Sequence, residues 1–189
     1  MDNPSEPGNS DIRRFLLVVR CQAGDQKAFE QLYELFGDKT LRYLKGLLEG
    51  ETARDIQQEV WLTVYRQISE LMNPRGFRTW LYRITHRQAI DQLRTSRRRL
   101  TLKENIAAKK DERTSTFDID ELFKAEDEED LKSTLDQLPA PHREVIVLKY
   151  WEGMSYEEIG LIIGCPVGTV RSRLYYAKQK IEEILHHET

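Results

Sequence analysis

Arg83, Arg87, Arg94 and Arg98 fall within a roughly 60° arc when the chain is wound at about 100° per residue, and Trp80 stands at the edge of that arc. A row of guanidinium groups neutralises the phosphates of a nucleic-acid backbone, and an indole face offers a platform for an unstacked base. The row lies in a basic stretch, FRTWLYRITHRQAIDQLRTSRRR over 77–99. From Arg75 to Leu100, Arg75, Arg78, Arg83, Arg87, Arg94, Arg97, Arg98 and Arg99 stand against a single acidic residue, Asp91, in a chain whose formal net charge is −3. A lone Arg-rich helix is equally well a solvated face. What argues against that here is a second nucleic-acid signal near the C-terminus.

That signal begins at Ser155-Tyr156-Glu157-Glu158, which has the spacing of a capping box. Ile159, Ile162 and Ile163 give the helix after it an apolar face. Gly160 is small where two helices must cross closely, and Gly164 suits a left-handed helix end. Pro166 opens the next helix, which Val170 and Leu174 anchor inward. Thr169, Arg171, Ser172, Arg173 and Tyr175 remain on or near its outer side. A helix that follows a short turn and offers Thr, Arg and Ser near its start has the geometry for reading bases in a major groove. The plainer reading is a helical hairpin, which does not require so detailed a pattern.

The elements that position these residues read as helices throughout; strand-like alternation is absent. An apolar run from Phe15 to Val19 marks a first helix over 12–22. Gly24-Asp25 breaks the chain, with Asp25 as an N-cap. Phe29, Leu32, Tyr33 and Phe36 follow at helical spacing, and a separate third helix is expected to carry Leu41, Leu44, Leu47 and Leu48 and to end near Gly50. Thr52 is expected to open the next helix, with Asp55 three residues on and an apolar face of Ile56, Val60, Val64 and Ile68. Asn73-Pro74 signals a turn before the basic helix. Within that helix Phe77 and Ile84 are expected on the core side, and Trp80 and Tyr82 are candidates for base stacking.

Composition inverts after this. Between Asp111 and Asp136 eleven acidic residues outweigh three basic ones, Arg113, Lys124 and Lys132, and apolar anchors are few. Such a stretch is expected to be a mobile linker. Leu138-Pro139-Ala140-Pro141 then starts a second compact unit, with Pro141 in a first helical turn and Val145, Ile146 and Leu148 inward. The expected fold is therefore all-α: two small helical domains joined by a flexible acidic linker, the C-terminal one containing a helix-turn-helix. The expected bounds are a disordered tail over 1–11, a first domain over 12–100, the linker over 101–126 and a second domain over 127–189.

Several function classes fall away. No apolar run approaches the roughly 20 residues of a membrane span, and the acidic, polar N-terminus is unlike a secretory signal. Cys21 and Cys165 are far apart with no metal-ligand spacing, and read as reduced thiols of a cytoplasmic protein. His86, His142, His186 and His187 have no partner at zinc spacing, so no metal or other cofactor is expected. No nucleophile–base pair or phosphate-binding glycine loop supports an enzyme.

Two long motifs, in this order around the acidic stretch, carry a family resemblance. ARDIQQEVWLTVYR followed by FRTWLYRITHRQAIDQLR, and LPAPHREVIVLKYWEGMSYEEIGLIIGCPVGTVRSRL, resemble a bacterial RNA polymerase sigma factor of the extracytoplasmic-function (ECF) type. The resemblance covers about 12–100 and 127–185. It implies core RNA polymerase as partner, through the β′ clamp helices and the β subunit, promoter DNA in duplex and single-stranded form, and an anti-sigma factor. It implies that the helix bearing Asp55, Gln58 and Glu59 docks on the clamp helices; these three share one helical face, with Leu62 beside them ambiguous between core and contact. Arg75, Arg78, Trp80, Arg83, Arg87, Arg94, Arg97 and Arg98 become the candidates for opening the −10 element. Thr169, Arg171, Ser172, Arg173 and Lys178 become those for the −35 element. The acidic linker is either a tether or a segment that enters the RNA channel. The competing reading is a stand-alone helix-turn-helix regulator with residues 1–100 as an effector or dimerisation domain; the basic-aromatic helix following an acidic-amide one speaks against it.

Overall fold

The computed structural model describes residues 9–100 and 133–187, with side chains over 11–95 and 133–185. The first unit comprises α1 (Asn9–Gln22), α2 (Gln26–Lys45), α3 (Gly50–Gln67) and α4 (Phe77–Leu100). The second comprises α5 (Ala140–Ile146), α6 (Tyr156–Ile163) and α7 (Val167–His187). No strand occurs among the described residues. The expected linker over 101–126 lies outside them, and α1 starts at Asn9, inside the stretch expected as a tail.

Asp25 caps α2 as its sequence position predicts, accepting a hydrogen bond from the Ala28 amide at 3.1 Å. Hydrogen bonds from the Arg20 guanidinium and from the backbone hold its carboxyl below the usual carboxylate range. α2 then runs without interruption to Lys45, so the separate third helix does not exist. Leu41 and Leu44 belong to α2, and Leu47 and Leu48 lie in the turn after it. The helix continues through Gly37, which is buried within it. The Gly37 carbonyl accepts the Gln57 amide at 2.6 Å and the Thr40 hydroxyl at 2.9 Å. α3 also starts earlier than expected. Glu49 is its N-cap, the Ala53 amide already bonds the Glu49 carbonyl at 2.8 Å, and Thr52 sits inside the first turn.

α3 buries Ile56, Val60 and Val64, and Ile68 follows in a 3-10 turn. Val60 and Val64 each contribute roughly 1.5–3 kcal/mol by leaving water. Trp61 is buried too. Its indole donates to the Thr40 hydroxyl at 3.3 Å, and its ring meets Phe29 and Tyr33 edge-on. Asn73 caps the 3-10 turn Pro74–Gly76, which aims α4. Phe77, Leu81, Tyr82, Thr85 and Ala89 form the buried side of α4. Ile84, expected in the core, is half-buried against it.

In the second unit Pro141 lies in the first turn of α5, and Val145, Ile146 and Leu148 are buried. A π-helical turn, Val147–Trp151, leads to the helix-turn-helix. Both halves of the capping box form. The Ser155 hydroxyl accepts the Glu158 amide at 3.1 Å, and the Glu158 carboxylate accepts the Ser155 amide at 2.9 Å. Gly164 adopts φ +69°, the left-handed conformation that closes α6. At Gly160 an added Cβ would stand 2.8 Å from the Cys165 carbonyl oxygen, a backbone atom of the turn. Gly160→Ala is therefore expected to destabilise the fold by about 1–3 kcal/mol, outweighing a helix-propensity gain of about 1 kcal/mol. A thermal melt checks this; an unchanged or higher Tm would mean that the turn can move aside.

The two units are in contact. α4 packs against α6, and one hydrophobic cluster runs through both.

Candidate nucleic-acid interface

α4 presents two different sides. With Phe77, Leu81 and Thr85 in the core, Arg83, Arg87 and Arg94 are exposed along the row that their spacing predicts. Among the described residues neither Arg83 nor Arg87 forms an ion pair, and Arg94 approaches only Asp91, at 3.9 Å. Unpaired guanidinium groups on a rigid helix are ready for phosphates, since no internal partner must first be displaced. Arg75 is exposed at the start of the row, its guanidinium 5.6 Å from the centre of the Phe15 ring. Trp80 is half-buried and tilts against Phe77, ring centres 5.9 Å apart, so part of its face is open. Arg97 and Arg98 sit on the last turns of α4, with their side chains outside the described residues.

The other side of α4 faces the second unit, and here the structure departs from expectation. Arg78 is half-buried, its guanidinium 3.5 Å from both the Glu158 carboxylate and the Gly153 carbonyl. Tyr82 is fully buried rather than available for stacking, edge-on to Tyr43 with ring centres 5.5 Å apart. Burial, and the Glu152 carboxylate beside it, push its phenol well above the usual tyrosine range.

On α7, Val170 and Leu174 are buried as predicted, and Arg171 and Ser172 are exposed near the helix start. The Arg171 guanidinium lies 5.9 Å from the centre of the Tyr156 ring, which steadies it without covering it. Ser172 donates to the Thr169 carbonyl at 3.0 Å, and Thr169 is half-buried. Two candidates point less freely. Arg173 is half-buried on the side of His142, whose pKa is lowered by burial and by that guanidinium. Lys178 stands 5.5 Å over the Tyr150 ring.

A third surface lies on α3. Asp55, Gln58, Glu59 and Leu62 are all exposed along one face, opposite the buried Ile56, Val60 and Val64. Leu62 is 54% exposed, so its place is on the surface and not in the core. Two aromatic neighbours extend this face: Tyr65 of α3, 61% exposed, and Tyr33 of α2, 44% exposed. Phe29 holds Tyr65 edge-on at 5.1 Å, and Trp61 holds Tyr33 at 5.0 Å. The helical spacing had Tyr33 on an apolar side; in the structure it is exposed, with one edge against Trp61. Among the described residues no three His, Cys, Asp or Glu side chains gather as metal ligands, and no helix is long and apolar enough to cross a membrane.

Residues 32–99 match the family model for sigma-70 region 2, and residues 128–181 match that for sigma-70 region 4. The chain is 36% identical over 174 residues to the ECF RNA polymerase sigma-E factor of Haemophilus influenzae, spanning 88% of this chain and 92% of that protein. It is 33% identical over 174 residues to the sigma-E factor of Escherichia coli, spanning 88% and 91%. Among solved structures, the sigma factor RpoE of Bartonella quintana in complex with the anti-sigma factor NepR superposes with a TM-score of 0.66 at 25% identity, covering 85% of this chain and 98% of that one. The fold of CnrH, solved in complex with the cytosolic domain of CnrY, superposes with a TM-score of 0.65 at 23% identity, covering 94% and 99%. With both sigma-70 regions matched in order, and with relatives of this similarity over most of its length, the chain belongs to the sigma-70 family as an ECF-type sigma factor.

Proposed function

We propose a division of labour among the three surfaces of this promoter-directing sigma factor. The α3 face of Asp55, Gln58, Glu59 and Leu62 docks on the β′ clamp helices of core RNA polymerase. The row Arg75, Arg83, Arg87 and Arg94, continued by Arg97 and Arg98 and bordered by Trp80 and Arg78, holds the opened −10 strand. The start of α7, with Thr169, Arg171, Ser172 and Arg173 and with Lys178 further along, reads the −35 element. Residues 12–100 act as the polymerase-binding and melting unit and 127–189 as the −35 unit, with further contacts to the β subunit. The protein works in the cytoplasm, performs no chemistry of its own and binds an anti-sigma factor, the kind of partner with which RpoE of Bartonella quintana forms its complex. The stand-alone regulator is not favoured, because region 2 occupies 32–99, where an effector domain would have to lie.

The observation that carries this reading is the exposed arginine row on α4, in which Arg83 and Arg87 form no ion pair among the described residues, combined with a second arginine-bearing face at the start of a helix-turn-helix. Arg171→Ala tests the second half. A bidentate contact between arginine and a base contributes roughly 1–3 kcal/mol, so transcription by the holoenzyme is expected to lose preference at one −35 position by about 5- to 150-fold. Run-off transcription from promoters varied across the −35 element measures it. A uniform loss at every position would make Arg171 a phosphate contact instead.

A further inference from the structure

We propose that Tyr156, the first residue of α6, is a positioning residue for −35 recognition: its ring orients the Arg171 guanidinium before DNA arrives and so sharpens preference at the base that Arg171 reads. Tyr156 comes from outside the reading helix, and the backbone around it is fixed. Gly153 takes φ +59°, Met154 is fully buried, and the capping box of Ser155 and Glu158 sets the start of α6. The Tyr156 ring is half-buried against the hydrophobic cluster, and the Arg171 guanidinium lies over it, 5.9 Å from its centre. The Lys149 ammonium, from the π-helical turn, lies over the same ring at 5.1 Å. Among the described residues neither Arg171 nor Lys149 forms an ion pair.

Arg143, in the same unit, is held in another way. Its guanidinium donates to the Asp136 carboxylate at 3.1 Å and to the carbonyls of Gly46, Asp136 and Leu138, so its donors are engaged within the fold. A carboxylate would hold Arg171 as firmly, but it would have to be displaced before a base could be met. Its charge would also repel the phosphates. A ring does neither: it restricts the guanidinium through its face and can leave the fork of donors open at the edge. That fork must meet two acceptors on one base edge side by side, so the contact depends on how the group is oriented. A phosphate contact tolerates a swinging charge. Ordering a rotamer-rich side chain on binding lowers affinity by about 3- to 10-fold, and with the ring in place much of that ordering precedes DNA.

This role rests on the assignment of Arg171 to the −35 element, and the two are read by different measurements. The first uses the free full-length chain and no DNA. The NMR order parameter of the Arg171 Nε–H group is expected to exceed that of Arg83, which is exposed and has no ion pair among the described residues. In Tyr156→Leu, which keeps an apolar group against the cluster, it should fall to the Arg83 level. The second measurement is transcription by the holoenzyme from promoters varied across the −35 element. Tyr156→Leu should lower preference about 3- to 10-fold at the one position that Arg171→Ala relaxes, and should add nothing once Arg171 is already alanine. Tyr156→Phe, which retains the ring, should restore both readouts, and Lys149→Gln should leave the preference as it is. Equal order parameters for Arg171 and Arg83 in the unsubstituted protein would overturn the role. So would a Tyr156→Leu defect spread evenly over the −35 element or undiminished in the Arg171→Ala background. A Tyr156→Phe as defective as Tyr156→Leu, or a Lys149→Gln that reproduces the defect, would overturn it too. A uniform loss on Arg171→Ala would overturn the base assignment, and this role with it, and is read without any change at Tyr156.

Discussion

Replacing Asp55 and Glu59 together by lysine is expected to lower affinity for core polymerase by about 10- to 100-fold, about 1.4–2.7 kcal/mol, with no change in helicity. Both carboxylates are exposed on α3, and among the described residues neither forms an ion pair. Their removal therefore leaves nothing unpaired inside the protein, and the folded state should change by less than about 0.5 kcal/mol. The face around them is mixed: acids and an amide, then Leu62 and Tyr65. Such a surface suits a basic partner with an apolar centre, where reversing charge replaces attraction by repulsion. An equilibrium titration with labelled core enzyme, run beside circular dichroism, measures both quantities. Affinity within twofold of the unsubstituted protein would remove Asp55 and Glu59 from the interface.

Trp80→Ala is expected to separate folding from strand capture. Phe77, fully buried beneath it, sets the scale for a purely structural ring: Phe77→Ala should cost about 3–5 kcal/mol. Trp80 is only half-buried, so its truncation should cost less, about 1–2 kcal/mol. Its open part offers stacking of roughly 1–3 kcal/mol per base, which would appear as a defect of about 5- to 150-fold in opening the −10 region. Closed-complex formation should survive, permanganate reactivity around −10 should fall, and a promoter melted in advance should restore transcription. A stability loss equal to that of Phe77→Ala, with no rescue by the pre-melted template, would assign Trp80 to the core alone.

Helix faces were legible in the sequence because burial repeats with the helical period. Ile56, Val60, Val64, Val170 and Leu174 are all where that period puts them, and so are the exposed Arg83 and Arg87. The caps at Asp25 and Ser155 were legible for a similar reason, since their partners lie three residues away. What spacing could not supply was anything decided by a distant partner. α2 passes through Gly37, whose carbonyl also accepts a hydrogen bond from Gln57 on another helix. Tyr82 is lost as a stacking candidate because Tyr43 and the second unit cover it. Glu144 is an ordinary acid in the sequence; buried, it takes hydrogen bonds from a tyrosine and a histidine that belong to the other unit. His86, read as an ordinary helix residue, proves to be one of those partners.

Reconstituted transcription tests most directly whether this chain directs core polymerase to a promoter through separate −35 and −10 surfaces. Purified protein and core enzyme are assayed on one promoter in three forms: intact, altered in the −35 element, and melted in advance at −10. Promoter-specific transcripts are expected only when both protein and core enzyme are present. Arg171→Ala should lose discrimination between the intact and −35-altered templates, and Arg83→Ala with Arg87→Ala should lose activity on the intact template while recovering part of it on the melted one. Specific transcripts that depend on neither surface, or sequence-specific promoter binding by the free protein with no transcripts on adding core enzyme, would contradict it.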